Sequence, residues 1–140
     1  MQMRPLTDDV FVGGQVMPAD MDDLAAQGIK TIINNRPPGE MPGQPSSDAL
    51  AAAAEQAGIA YVFLPMAGGL SLELVEGSAA AFADLPMPAL AFCASGMRSV
   101  ALWCFASVKD KGVDTVLTTA ATAGYNLGHL RGALDNYAQS

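Results

Sequence analysis

A chain of 140 residues that is 51% hydrophobic and only 15% charged has the apolar mass for one sizeable core and too much of it for a disordered chain. A net charge of −7 argues against nucleic acid as a partner, since phosphate backbones are bound by basic surfaces. No apolar run is long enough to cross a bilayer, and the start Met1-Gln2-Met3-Arg4-Pro5 has no apolar leader segment, so a cytoplasmic protein folded as a single domain over residues 1–140, with no membrane contact, is expected.

In chain order, Leu6-Thr7-Asp8-Asp9 leads into a short strand, Val10-Phe11-Val12, closed by Gly13-Gly14. Pro18 to Gly28 reads as a helix with acidic residues in its first turns and a glycine stop. Lys30-Thr31-Ile32-Ile33-Asn34 is a β-branched strand that runs into Asn35-Arg36 and a Pro/Gly-rich loop through Pro45, too long for a simple connection. Ser46-Ser47-Asp48 caps an alanine-rich helix ending at Ala57-Gly58. A strand-like run follows at Ala60-Tyr61-Val62-Phe63-Leu64-Pro65, then the connection Met66-Ala67-Gly68-Gly69-Leu70 and a helix from about Ser71 to Asp84. Pro86-Met87-Pro88 resets the chain for a strand in the apolar run Pro88-Ala89-Leu90-Ala91-Phe92 that leads into Cys93, which is followed by helices over about 98–109, 113–122 and 130–137. This alternation predicts an α/β fold: a mainly parallel four- to five-stranded sheet with helices on both faces.

Ligands of such sheets bind at the carboxyl ends of the strands, and there the chain carries Cys93-Ala94-Ser95-Gly96-Met97-Arg98-Ser99. A strand, a short loop and a helix in succession set the loop at a helix N-terminus, where unpaired amides and the positive dipole end favour an anion and push a cysteine toward its thiolate. Arg98 brings a fork of donors suited to an oxyanion, and Gly96 lets the backbone turn its amides inward. The plain alternative, a cysteine buried as packing, accounts for neither neighbour. Cys93 and Arg98 are therefore the catalytic candidates, with Ala94, Ser95, Gly96, Met97 and Ser99 as the anion cradle. Asn35 and Arg36, at the end of another strand, line the same pocket if the two strands are neighbours. Cys104 falls roughly 15 Å along the following helix, too far for a disulfide, and is assigned to the core. Neither cysteine has metal-ligand spacing with the lone His129, and no metal or cofactor is expected. Tyr125, His129 and Arg131 can be surface or pocket wall.

The phrases Leu6-Thr7, Gly14-Gln15, Gly28-Ile29-Lys30-Thr31-Ile32-Ile33-Asn34-Asn35-Arg36-Pro37 and Pro42-Gly43-Gln44-Pro45-Ser46-Ser47 resemble the beta-lactamase-hydrolase-like phosphatase-like family of bacteria, over about residues 6–106. The resemblance implies a three-layer sandwich like that of dual-specificity cysteine phosphatases. Family members act as phosphatases or as sulfur transferases, and some are fused to a metallo-β-lactamase-fold domain of the persulfide dioxygenase type, which the resemblance offers as a partner.

Two features favour sulfur transfer. Cysteine phosphatases carry five residues between cysteine and arginine, whereas four separate Cys93 from Arg98, and the string from Cys93 to Ser99 looks like the active loop of single-domain rhodaneses. Phosphatases of this architecture also take a general acid from a neighbouring loop, and Met66–Leu70 has none; Asp48 and Glu40 are the possible substitutes, with plainer roles as a helix cap and a solvated loop charge. The expectation is a rhodanese-like sulfurtransferase that forms a Cys93 persulfide from a small anionic or persulfide substrate, with Ser99 donating to the thiolate. Its alternative is a phosphatase acting through a phosphocysteine, and a third reading is a non-catalytic anion-binding module.

Overall fold

The computed structural model describes residues 2–140; Met1, the first residue of the start read above, lies outside them. Five strands form one sheet in the order β1-β2-β5-β3-β4: β1 (Met3–Pro5), β2 (Val10–Gly13), β3 (Thr31–Asn34), β4 (Ala60–Phe63) and β5 (Ala89–Phe92). All neighbouring pairs are parallel except β1 with β2, so the expected mainly parallel sheet is present. β1 was not anticipated. It has three residues, one of them proline, which suits an edge position because its missing N–H costs no ladder bond there.

The helices are α1 (Met21–Ala26), α2 (Ser47–Ala57), α3 (Leu72–Asp84), α4 (Met97–Lys111), α5 (Val113–Thr122) and α6 (Arg131–Ala138). The helix expected from Pro18 opens as a 3-10 turn, Pro18–Asp20, before α1. Ser46 caps α2 by accepting from the Ala49 amide, and Ser71 caps α3 by accepting from Leu74, contacts worth about 1 kcal/mol each.

Alternation along the strands sends side chains to two separate cores. Ile32, Leu90 and Phe92 pack with Met21 and Leu24 of α1 and Leu50 and Ala54 of α2 on one face. Ile33, Val10, Val12, Ala89 and Ala91 face the thicker layer of α3 to α6. Within that layer α4 is buried nearly all round, with Val100, Leu102, Trp103, Cys104 and Phe105 enclosed, and it packs against α3, α5 and α6. Among the described residues no helix is long and apolar enough to cross a membrane.

This architecture fixes the position of one sheet end. Gly13 and Asn34 both pair with Phe92, so β2, β5 and β3 terminate level with one another. The next residue of each chain, Gly14, Cys93 and Asn35, emerges side by side at that edge. The Asn35 amide donates to the Phe92 carbonyl at 2.8 Å and the Cys93 amide to Gly13 at 3.3 Å.

Candidate active site

Cys93 leaves β5 in the middle of this edge with only 1% of its surface exposed. The chain turns back over it through Ala94, Ser95 and Gly96 and enters α4 at Met97, which sets Arg98 and Ser99 in the first helical turn. The turn depends on Gly96, whose φ of +95° is strained for any residue with a Cβ. Its amide donates to the Cys93 sulfur at 3.1 Å. Gly14 serves the same loop from the other side, since a Cβ there meets the Ala94 carbonyl oxygen at 3.0 Å.

Two opposing effects act on the thiol. Burial pushes its pKa up, but the amides of Ser99, Ser95 and Gly96, together with the Ser99 hydroxyl, outweigh burial and hold it below the ordinary thiol value. The Ser99 side chain is itself engaged: its hydroxyl donates to Asn35 Oδ1 at 2.8 Å. A hydroxyl has one proton, so Ser99 serves either Asn35 or the thiolate at a given moment. Asn35 is in turn oriented by its side-chain amide, which donates to the Leu64 carbonyl at 3.0 Å.

β3 and β5 are hydrogen-bonded neighbours; Asn35 meets the cysteine loop directly at Ser99, whereas Arg36 is linked to it only through Glu40. Asn35 is buried and meets Ser99; its amide side chain is committed to protein partners. Arg36 is also buried and donates from Nη1 to Gln15 Oε1 and from Nε to Glu40 Oε1, both at 2.9 Å. The Glu40 carboxylate is bidentate to Arg98, with Nη1 to Oε2 and Nη2 to Oε1 both at 2.9 Å. Hydrogen bonds from Arg98 and Arg36 hold the Glu40 carboxyl down to about 2. Glu40 is thus ionised at any ordinary pH and holds no proton to give in this position, which removes it as the substitute acid. Asp48 lies in the first turn of α2.

Ala94, Ser95 and Met97 are the exposed members of the loop, whereas Gly96 and Ser99 are buried. The connection Met66–Leu70 does reach the site, where the Met66 carbonyl accepts from Arg98 Nη1 at 3.3 Å, and it brings no acidic side chain. Tyr125, left open by the sequence, is a wall of the loop: its hydroxyl donates to the Ser95 carbonyl at 3.0 Å, and its ring is capped by Arg4 at 5.7 Å from the centroid. His129 and Arg131 are exposed, and Arg131 pairs with Asp114. A cleft of about 840 Å³ runs beside the loop along Gly14, Gln15, Ser95 and Tyr125, but neither Cys93 nor Arg98 lines it. Among the described residues no three His, Cys, Asp or Glu side chains gather as metal ligands.

Sequence reasoning assigned no place to Gln15, Tyr125 or the bridging role of Glu40. The usable signal was the Gly14-Gln15 dipeptide and the length of the loop that carries Glu40.

The chain is 36% identical over 106 residues to a beta-lactamase hydrolase-like protein of Agrobacterium fabrum, an alignment covering 75% of this chain and 25% of that protein. It therefore spans about a quarter of the length of that curated relative. Over its whole extent it is similar to a proposed phosphatase of Neisseria meningitidis whose crystal structure is known, with 32% identity, a TM-score of 0.83, and 98% and 99% of the two chains covered. Tk-PTP, at 13% identity and a TM-score of 0.77 over 99% and 95% of the chains, shares the fold.

These likenesses correct the expected chemistry. The sulfurtransferase reading rested on the four-residue spacing of Cys93 and Arg98 and on the lack of an acid in Met66–Leu70, but helix-end amides and an arginine fork suit a phosphoryl group equally well. Ring length alone does not discriminate, and the phosphatase descriptions of the Neisseria protein and of the matching family overturn sulfur transfer in favour of its phosphatase alternative. The family model for the phosphatase-like domain of beta-lactamase hydrolase-like proteins matches residues 2–110, and the chain belongs to that family.

Proposed function

We propose that this domain is a cysteine-dependent phosphatase acting on small phosphate esters. The observation that carries the reading is the buried Cys93 sulfur held by the Gly96 amide at the head of α4, with Arg98 one turn away and the thiol pKa lowered. In the first step the Cys93 thiolate attacks phosphorus, the P–S bond forms, and the ester P–O bond breaks with its electron pair on the leaving oxygen. Loop amides and Arg98 hold the phosphoryl oxygens as charge builds on them. Water then attacks phosphorus, the P–S bond breaks, and the thiolate returns with inorganic phosphate released. Ser99, by turning its hydroxyl from Asn35 to the sulfur, stabilises that departing thiolate.

No acid stands in the Met66–Leu70 loop, so the leaving oxygen departs without a proton from that side. Substrates with acidic leaving groups, such as aryl phosphates, are favoured accordingly. The test is hydrolysis of an aryl phosphate with acid quench and intact mass measurement. A phosphoryl adduct on Cys93 during turnover is expected. Absence of both hydrolysis and adduct would overturn the proposal and leave an anion-binding module.

A further inference from the structure

Two hydrogen bonds meet on one peptide unit of the cysteine loop. The Gly96 amide donates to the Cys93 sulfur at 3.1 Å, and the Ser95 carbonyl accepts from the Tyr125 hydroxyl at 3.0 Å. These groups are the N–H and the C=O of the same amide, the link between Ser95 and Gly96. That link is trans, so its N–H and C=O point in opposite directions. One edge of the amide plane faces the nucleophile, and the phenol holds the other.

The phenol is itself anchored. α5 ends in a Schellman turn, in which Gly124, at φ +100°, donates to the Ala121 carbonyl at 3.0 Å and the Tyr125 amide donates to Ala120 at 2.9 Å. Tyr125 is buried, with the Arg4 guanidinium over its ring at 5.7 Å from the centroid. Gly96, by contrast, gives the loop its turn without resisting rotation of the amide, because glycine accepts φ of either sign. It also leaves room for the phenol, since a Cβ there would run into the Tyr125 hydroxyl. The hold on the far edge of this amide thus comes from outside the loop.

We infer that Tyr125 is a positioning residue for the nucleophile: by gripping the Ser95 carbonyl it aims the Gly96 N–H at the Cys93 sulfur and polarises it into a better donor to the thiolate. A hydrogen bond accepted by a carbonyl draws charge along the amide toward oxygen and strengthens the donor at its nitrogen, by roughly 10–30% per bond. The role needs no contact between Tyr125 and a substrate. Arg98 faces Cys93, and Arg4 and Cys93 face Tyr125. Both arginines stay charged throughout, and burial outweighs the pull of Arg4 and keeps the phenol protonated where the thiol titrates.

The experiment follows alkylation of Cys93 by iodoacetamide against pH in the full chain, for the wild type, Tyr125→Phe and a variant with fluorotyrosine at position 125. Tyr125→Phe keeps the ring and its contact with Arg4 and loses the donor, and the midpoint is expected to rise by about half a pH unit, a threefold gain in proton affinity. Fluorine makes the phenol a stronger donor with little change in size, so that midpoint falls below the wild-type value. With Cys93 fully ionised, the amide nitrogen chemical shift of Gly96 moves in Tyr125→Phe while that of Ser99, on a different peptide, holds. An unchanged midpoint in Tyr125→Phe overturns the inference, and so does an equal rise in both variants, which marks the phenol as packing. Should Tyr125→Phe fold poorly, the fluorinated chain decides: a lower midpoint supports the inference, and an unchanged or higher one overturns it. A moved midpoint with the Gly96 signal unmoved overturns the route through the peptide and assigns the effect to the phenol acting directly on sulfur. The inference deepens the phosphatase reading, whose nucleophile it concerns, but it is read without a substrate. Absence of phosphatase turnover in the wild type therefore removes that reading and leaves this one in place.

Discussion

Cys93 and Cys104 lie on one short stretch of chain, one just ahead of α4 and one in its middle, and both are buried. Burial pushes both thiols up. At Cys104 nothing opposes it: the sulfur meets only the Val116 carbonyl at 3.7 Å, and its pKa rises to about 12. At Cys93 the amides of Ser95 and Gly96 in the loop and of Ser99 in the first turn of α4 face the sulfur and reverse the sign. The difference teaches that a buried cysteine is poised as a thiolate by the donors aimed at it, and that eleven residues of chain, spanning the loop and the first half of α4, separate such a thiol from a packing group.

The comparison breaks most openly in turnover. Cys93→Ser should lower kcat/KM for an aryl phosphate by at least ~10³-fold, as loss of a covalent nucleophile does. Cys104→Ala should leave kcat/KM within about twofold and cost roughly 1–2 kcal/mol of stability through the small cavity it leaves. Equal losses of activity in the two variants would mean that α4 as a whole, and not the sulfur at its head, carries the chemistry.

A smaller effect is expected from the loop that aims the amides. Gly96→Ala forces a Cβ into a backbone of positive φ and against the Tyr125 hydroxyl, and should cost about 1–3 kcal/mol in urea unfolding together with slower alkylation of Cys93. Tyr125→Phe in that background removes the clashing oxygen but not the backbone strain, so it should restore part of the lost stability. Stability and Cys93 reactivity both at the wild-type level in Gly96→Ala would show that the turn is not what fixes the donors.

The smallest effect sharpens the comparison in pH. Alkylation of Cys93 should reach its half-maximal rate below the pH of an ordinary thiol, while Cys104 reacts only on unfolding. Ser99→Ala removes a donor and should move the Cys93 profile upward, slowing reaction at neutral pH by roughly threefold. The sign for stability follows from the lowered pKa: the contribution of Cys93 to folding is present above the ordinary thiol value and is lost as the pH falls through the folded one. A Cys93 profile no different from that of a free thiol would remove the distinction between the two cysteines.

Much of this molecule is legible in its residues. Ser46 and Gly58 bracket α2, Ser71 opens α3, and β-branched Thr31-Ile32-Ile33 makes a central strand, because each of these signals is local. The loop from Cys93 to Ser99 is legible for the same reason, being one continuous segment with its own glycine and arginine. β1 escaped because three residues are too few to set a pattern and only pairing with β2 defines them. Glu40 and Tyr125 escaped because their partners lie 58 and 30 residues away, distances over which only the folded sheet edge and the packed helices bring side chains together. The choice between sulfur and phosphoryl transfer was misjudged from loop length, a local count standing in for a three-dimensional cradle.

The edge strand has a consequence for the cysteine loop. Arg4, one residue before the end of β1, donates to the Ala123 carbonyl at 3.1 Å and lies over the ring of Tyr125, whose hydroxyl holds Ser95. The beginning of the chain is thereby coupled through a cation and a ring to the reactive turn, although β1 lies two strands away from β5 in the sheet. β1 thus acts as an outrigger, set outside the four parallel strands and tied to the loop they carry through Arg4, Tyr125 and Ser95.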